Sequence, residues 1–156
     1  MNIYVRPMTM DDYESVHQVD ILTQRQYLGQ KFDALSPEEQ DKHFLVSRKS
    51  EFQINIDTGY CFVAEDNGQI IGFLLSYETI PFHGTLDIYY IGLNPEYQSK
   101  GIGLLLYEKL IEKAKQKGIK RIKTHINLDN PKSIRFHEKA GFKLKDQKEA
   151  ILEFHT

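Results

Sequence analysis

The chain has 156 residues, 40% of them apolar and 27% charged, with a net charge of -2 at pH 7. That length fits a single domain over residues 1–156, able to bury a core without disulfide or metal support, and the near-neutral charge gives no electrostatic reason to expect a nucleic-acid partner. The lone cysteine, Cys61, rules out an internal disulfide and fits a reducing compartment, no apolar run approaches bilayer length, and Met1–Arg6 lacks a signal peptide's apolar centre, so the expectation is a cytoplasmic protein with no membrane partner.

Ile3 to Arg6 reads as a short strand stopped by Pro7; Thr9 then caps a helix with Asp11 and Asp12 in its first turn, running to about Gln26. Tyr27 to Leu35, with Gly29 and mixed polarity, reads as a loop suited to a substrate lid. In Ser36-Pro37-Glu38-Glu39 the serine caps, the proline takes the first helical position and a glutamate stands three residues after the cap, so a helix to about Arg48 is expected. Tyr60 to Glu65 and Gln69 to Tyr77 are β-rich and flank Asp66-Asn67-Gly68, a strong hairpin signal. Cys61 in that first run reads as buried filler, and Gly72 in the second marks a bulge or a close backbone approach.

Thr85 to Leu93 makes the next strand, reached through Pro81-Phe82-His83-Gly84 and ended by Asn94-Pro95. In the helix that follows, Leu106, Tyr107, Leu110, Ile111 and Ala114 recur at three- and four-residue spacing, while Glu108, Lys109, Glu112, Lys113 and Lys115 occupy the other side. Gly118 ends it. Arg121 to Asn127 alternates as a strand, so strand, helix and strand form a βαβ unit with a parallel pair. The bases Lys113, Lys115, Lys117, Lys120, Arg121 and Lys123 read as the solvated end of this helix and strand. Asn130-Pro131 opens a short helix to Ala140, Gly141 stops it, and Phe142 to Leu144 with Ala150 to Phe154 read as a closing hairpin. The histidines, His17, His43, His83, His125, His137 and His155, are scattered, and no metal site is expected.

The most informative stretch is Gln98-Ser99-Lys100-Gly101-Ile102-Gly103, between the strand ending at Leu93 and the periodic helix. A strand that turns through glycines into a helix leaves several N–H groups pointing into one space. Gly101 and Gly103 have no Cβ to hold a ligand off, and the helix adds its positive dipole end. The fitting guest is a phosphate. The Gly-Lys-Ser/Thr ending of a nucleotide P-loop is missing.

Leu93-Asn94-Pro95-Glu96-Tyr97-Gln98-Ser99-Lys100-Gly101-Ile102-Gly103, followed by an amphipathic helix, resembles the acetyl-CoA-binding motif of the GCN5-related N-acetyltransferases, the GNAT family. About thirty residues on, Asn130-Pro131-Lys132-Ser133-Ile134-Arg135-Phe136-His137-Glu138-Lys139-Ala140-Gly141-Phe142 resembles the same family's second signature, and Ile3 to Asp12 looks like its first strand and helix. The resemblance implies a mixed α/β (α+β) domain whose mainly antiparallel sheet is splayed where Leu86–Leu93 parts from Arg121–Asn127, with about four flanking helices. It also implies acetyl-CoA as co-substrate and no metal. The pantetheine arm would lie in the gap along Ile91, Gly92 and Leu93, the pyrophosphate on Gln98, Ser99, Lys100, Gly101, Ile102 and Gly103, with Asn130, Ser133 and Phe136 beside the cofactor.

The implied chemistry is direct attack of an amine on a thioester in a ternary complex. A lysine-like amine costs roughly 4 to 5 kcal/mol to deprotonate at pH 7 and an α-amine about 1, so the need for a base depends on the acceptor. Asp87 stands where many relatives carry an acid, with Glu78 as a second candidate. His137 takes the position of the tyrosine commonly assigned to protonate the leaving thiolate, with Tyr90 and Tyr97 as the alternatives. The acceptor is a small-molecule amine or a peptide or protein amine, and the chain a monomer or homodimer. Two rival expectations stand beside this one: an acyltransferase using a longer acyl chain, and a catalytically weak module that senses acyl-CoA.

Overall fold

The structure, a computed structural model, describes residues 1–42, 49–79 and 83–154, which divide into two units, Met1–His125 and Ile126–Thr156. The first unit runs β1 (Ile3–Pro7), α1 (Tyr13–Leu28), α2 (Gln30–Asp33), α3 (Pro37–Asp41), α4 (Lys49–Asp57), β2 (Phe62–Asp66), β3 (Gln69–Glu78), β4 (Thr85–Leu93), α5 (Ile102–Gln116) and β5 (Arg121–Thr124). The strands lie in the order β1-β2-β3-β4-β5, antiparallel except for the β4–β5 pair. This is the mixed, mainly antiparallel α+β sheet that the sequence implies, with α5 as its parallel crossover.

Turn chemistry fixes the central hairpin. Asn67 and Gly68 both take positive φ, 50° and 84°, the pair of left-handed residues that a two-residue hairpin turn requires. Cross-strand pairing then sets Val63, Phe73 and Gly92 on one face of the sheet and Ala64, Gly72 and Leu93 on the other. On the first face Val16, Val19, Phe52, Cys61, Val63, Phe73 and Leu75 form a buried cluster beneath α1 and α4. On the second, α5 buries Ile102, Leu106, Tyr107, Leu110 and Ala114, the stripe its periodicity predicts, with Ile111 half-buried. Cys61 fills space as expected; its thiol lies 3.2 Å from the Asn55 carbonyl, and burial pushes its pKa up.

Gly72 realises both of its expected roles. The β2–β3 register slips between Ala64 and Glu65, leaving Ile71 as an extra residue beside it, and a Cβ on Gly72 would fall 2.5 Å from Leu93 Cδ2.

Several boundaries differ from expectation. Tyr27–Leu35 is no open loop: α1 continues to Leu28, Gly29 turns at φ 63°, and α2 follows because Phe32 inserts fully into the core. The helix begun by Ser36 has its capping box, with the Glu39 N–H donating to Ser36 Oγ at 3.3 Å and the Ser36 N–H to Glu39 Oε2 at 2.9 Å. It ends at Asp41; the expected continuation through residues 43–48 lies outside the described residues. A further helix, α4, then carries Phe52 into the core. With α6 of the second unit (Pro131–Lys139), six helices are described instead of about four. β5 stops at Thr124, short of Asn127, and residues 142–154 contain no strand. From Lys143 to Glu149 lysines and acids interrupt the apolar alternation, and Ile151, Leu152 and Phe154 stay exposed, so no shared apolar face drives the expected hairpin.

One ion cluster ties the first strand to the first helix. Arg6 donates to both carboxylate oxygens of Asp12 at 2.8 Å and to Glu65 Oε2 at 3.2 Å, while Asp12 Oδ2 also accepts the Thr9 N–H at 2.8 Å. Burial pushes the Asp12 carboxyl up, but the Arg6 and Thr9 hydrogen bonds outweigh it and hold its pKa below the ordinary range. Because the folded pKa is depressed, the stabilisation is complete above the ordinary carboxylate range and disappears as pH falls through the folded value. Asp12→Asn is therefore expected to cost roughly 2 kcal/mol at pH 7 in urea unfolding, and the difference from wild type should shrink steadily below about pH 4.

Candidate active site: an open sheet edge beside a glycine loop

The cleft starts from incomplete pairing. β5 matches β4 only from Thr85 to Ile88, where Thr124 Oγ1 donates to the Ile88 carbonyl at 3.0 Å. From Tyr89 to Leu93, β4 keeps β3 on one side and has no strand on the other among the described residues. Ile91, Gly92 and Leu93, the residues expected to meet a pantetheine arm, belong to that stretch. Gly92 is sterically required, since a Cβ there would fall 2.6 Å from Phe73 Cε1.

A β-bulge sets the side chains. The β3–β4 register passes from Leu75 opposite Tyr90 to Ser76 opposite Ile88, so Tyr89 is the extra residue. Residues three apart on a strand normally face opposite ways; the bulge instead brings Tyr90, opposite Leu75, and Asp87, opposite Tyr77, onto the same α1 face. Asp87 is 8% exposed. Its direct neighbours are Tyr77 on β3 and Lys123 on β5, and no hydrogen bond or ion pair to its carboxylate is present among the described residues. Tyr90 faces α1, where its hydroxyl lies 3.0 Å from Thr23 Oγ1 and accepts from Gln24 Nε2 at 3.2 Å. Burial pushes its pKa up, so it keeps its proton across the neutral range.

The glycine loop is braced from three sides. Asn94 N–H donates to the Ile71 carbonyl at 2.8 Å, and its side chain accepts from the Glu96 N–H at 3.1 Å. Tyr97 donates its hydroxyl to Asp66 Oδ2 at 3.0 Å, and Lys100 Nζ lies 5.4 Å from the centre of the Tyr97 ring. The Asn2 N–H and that Tyr97 hydroxyl together hold the Asp66 carboxyl below its ordinary pKa. Gln98 and Gln26 of α1 exchange two amide hydrogen bonds, 2.7 and 3.1 Å.

Beyond these braces Ser99 and Gly101 take positive φ, 62° and 80°, and α5 begins at Ile102. Its N-cap is Gly101, which has no side chain to cap it, and the first intrahelical acceptor is used by the Leu105 N–H at 3.2 Å. The N–H groups of Ile102, Gly103 and Leu104 thus start the helix without intrahelical partners. A Cβ on Gly101 would meet nothing within 4 Å, so the main chain is open to approach at that residue. Asp66, Gln26 and the bulged Tyr89 carry no sequence signal of their own; only the folded register reveals them.

In the second unit α6 has the helix start that Asn130-Pro131 predicts: Asn130 Oδ1 accepts the Ser133 N–H at 3.1 Å. Ser133, Phe136 and His137 lie on this helix. His137 is 4% exposed, between the rings of Phe136 and Phe142 at 5.2 and 5.3 Å. Its Nδ1 is 2.7 Å from the Ser133 carbonyl oxygen, which only accepts, so Nδ1 carries a hydrogen and donates it there.

A mainly antiparallel sheet with one parallel pair, opened beside an uncapped helix start, defines an α+β domain built to hold an extended, anion-bearing ligand by its main chain. Residues 19–142 match the model of the acetyltransferase (GNAT) family, and the chain belongs to that family. It is 27% identical to an acetyltransferase of Sodalis glossinidius over 91% of this chain and 88% of that protein. An uncharacterized N-acetyltransferase of Methanocaldococcus jannaschii is 30% identical over 54% of this chain, a match that spans only 39% of that protein's length. The fold is also that of the PaiA N-acetyltransferase from Thermoplasma acidophilum, solved in complex with coenzyme A, at a TM-score of 0.79 and 21% identity, covering 95% of this chain and 94% of that one.

The close approach at Gly92 gives a direct test of the cleft wall. Gly92→Ala is expected to destabilise the protein by about 1–3 kcal/mol in urea unfolding, because the Phe73 ring has to shift under the buried cluster, whereas Gly101→Ala should lose only about 1 kcal/mol.

Proposed function

We propose that this chain transfers an acetyl group from acetyl-CoA to a primary amine by direct attack within a ternary complex. The observation that carries the reading is the uncapped start of α5, where the glycine turn that follows the unpaired end of β4 leaves the first N–H groups of the helix without intrahelical partners. The residues present fit the co-substrate. The loop from Gln98 to Gly103 takes its diphosphate through the N–H groups that open α5, those of Ile102 and Gly103, Ile91, Gly92 and Leu93 offer main-chain groups to the amides of its pantetheine arm, and Asn130, Ser133 and Phe136 are the further cofactor residues that the family resemblance assigns. When bound, it supplies the thioester that donates the acetyl group.

In this reading Asp87 takes the proton from the acceptor ammonium, and its burial beside the open edge suits it to hold the amine oriented. His137 returns a proton to the departing sulfur through Nε2, because Nδ1 is committed to the Ser133 carbonyl. Tyr90, fixed to Thr23 and Gln24, positions α1 against β4. Membership of an acetyltransferase family supports the reaction class, and the acceptor's identity rests on the face described below.

Calorimetry with coenzyme A should show saturable binding, weakened at least tenfold by Gly101→Val, which places a branched side chain where the ligand approaches. Release of free coenzyme A from acetyl-CoA with a panel of amines should fall by roughly 10²-fold or more in Asp87→Asn. Turnover should fall in His137→Phe and be retained in His137→Tyr; equal rates in both variants and wild type would remove His137 from the mechanism. Tight coenzyme A binding without acetylation of any amine would assign the chain to the sensor class instead.

A further inference from the structure

On the α4 side of the sheet, Tyr77 and Tyr89 stand with ring centres 5.6 Å apart and planes inclined at 52°, and they are 39% and 37% exposed. Two large aromatic rings packed against each other and left over a third open present a contiguous aromatic surface to which a ligand can add. Register places Asp87 directly across from Tyr77 on the same face, nine-tenths buried and with no hydrogen bond or ion pair among the described residues. Tyr89 has the Asn55 amide beside its hydroxyl, and Glu51 near enough for its charge to act on the phenol. Lys123, across from Asp87 on β5, is exposed and makes no ion pair with it.

We infer that the Tyr77–Tyr89 pair is the acceptor-binding wall and that it selects an aliphatic amine carrying a second positive charge. The proposal rests on the transferase reading and names the substrate class for that same site. The chemistry is complementary at two points. A buried carboxylate without a partner favours an ammonium that approaches it and accepts its proton, while the faces of the two rings, with Glu51 nearby, favour a second ammonium that stays charged. The alkyl chain between them covers the ring edges. The bulge is what makes the pair possible, because Tyr89 escapes the strand's alternation and reaches the Tyr77 ring instead of the α5 face.

The test uses the full chain, titrated calorimetrically with 1,4-diaminobutane and with 4-aminobutanoate, each with and without coenzyme A. The diamine is expected to bind saturably, and at least tenfold more tightly than the amino acid, whose carboxylate would meet Glu51 and the ring faces. Tyr77→Leu and Tyr89→Leu, which keep apolar volume but remove the ring, should each weaken the diamine by about tenfold, while the Phe variants stay within threefold of wild type. Thermal melts of the Phe variants guard against misfolding as the cause. Diamine binding that is absent under both conditions, unchanged in the Leu variants, or no tighter than that of 4-aminobutanoate overturns the inference. Coenzyme A binding in the same titrations reports separately on the transferase reading: its loss in wild type sinks that reading whatever the amine does, and its retention with neutral Leu variants sinks this inference alone.

Discussion

Half a strand left without a neighbour is the constraint from which the rest of this architecture follows. Exposed sheet edges normally invite aggregation, and proteins cover, twist or charge them. Here the edge lies inside the sheet. β4 pairs with β5 over Thr85–Ile88 and then runs on to Leu93 with no strand paired to it on that side among the described residues. The bulge at Tyr89 begins at that point, increasing the local twist and turning the strand out of register. The interruption of pairing, the change of side-chain parity and the start of the glycine loop thus fall within about ten residues, so one irregular segment arranges both the groove and the side chains that look into it.

The loop from Asn94 to Gly101 is held by the Asn94–Ile71 hydrogen bond, the Tyr97–Asp66 contact and the Gln98–Gln26 amide pair. None of these braces uses the N–H groups that open α5. Bracing of this kind reduces the conformational entropy that a ligand must remove on binding. The Gln98–Gln26 pair also joins the loop to α1, whose Thr23 and Gln24 hold Tyr90 on β4. One helix therefore holds both β4 and the loop that follows it, and its own position is set at the other end by the Arg6–Asp12–Glu65 cluster.

The fold was legible wherever local chemistry leaves one solution. Asn67-Gly68 dictated the hairpin, Ser36 and Asn130 their helix starts, and the stripe from Leu106 to Ala114 the buried side of α5. Legibility failed where tertiary packing decides. Phe32 converts a polar-looking connection into α2, and Phe52 anchors α4 within a stretch whose alternation says nothing. The end of β5 at Thr124 was invisible, since Ile126 continues the pattern. At the site, the turn through Gly101 into α5 could be read directly from its glycines and the periodic helix after them, whereas Asp87 was singled out only by the family resemblance. The Tyr77–Tyr89 contact could not be read, because it depends on a one-residue slip between two strands.

The burial of Cys61 has a practical side. It is the single cysteine of the chain, enclosed by Val63, Phe73 and Leu75, with its thiol against the Asn55 carbonyl and little tendency to ionise. Thiolate is the species that alkylating probes and disulfide reagents consume. A cysteine introduced at an exposed position, such as the end of α5 or the β2–β3 turn, would be the only thiol those reagents find, so a fluorophore or spin label can be attached at one chosen place without first removing the natural residue.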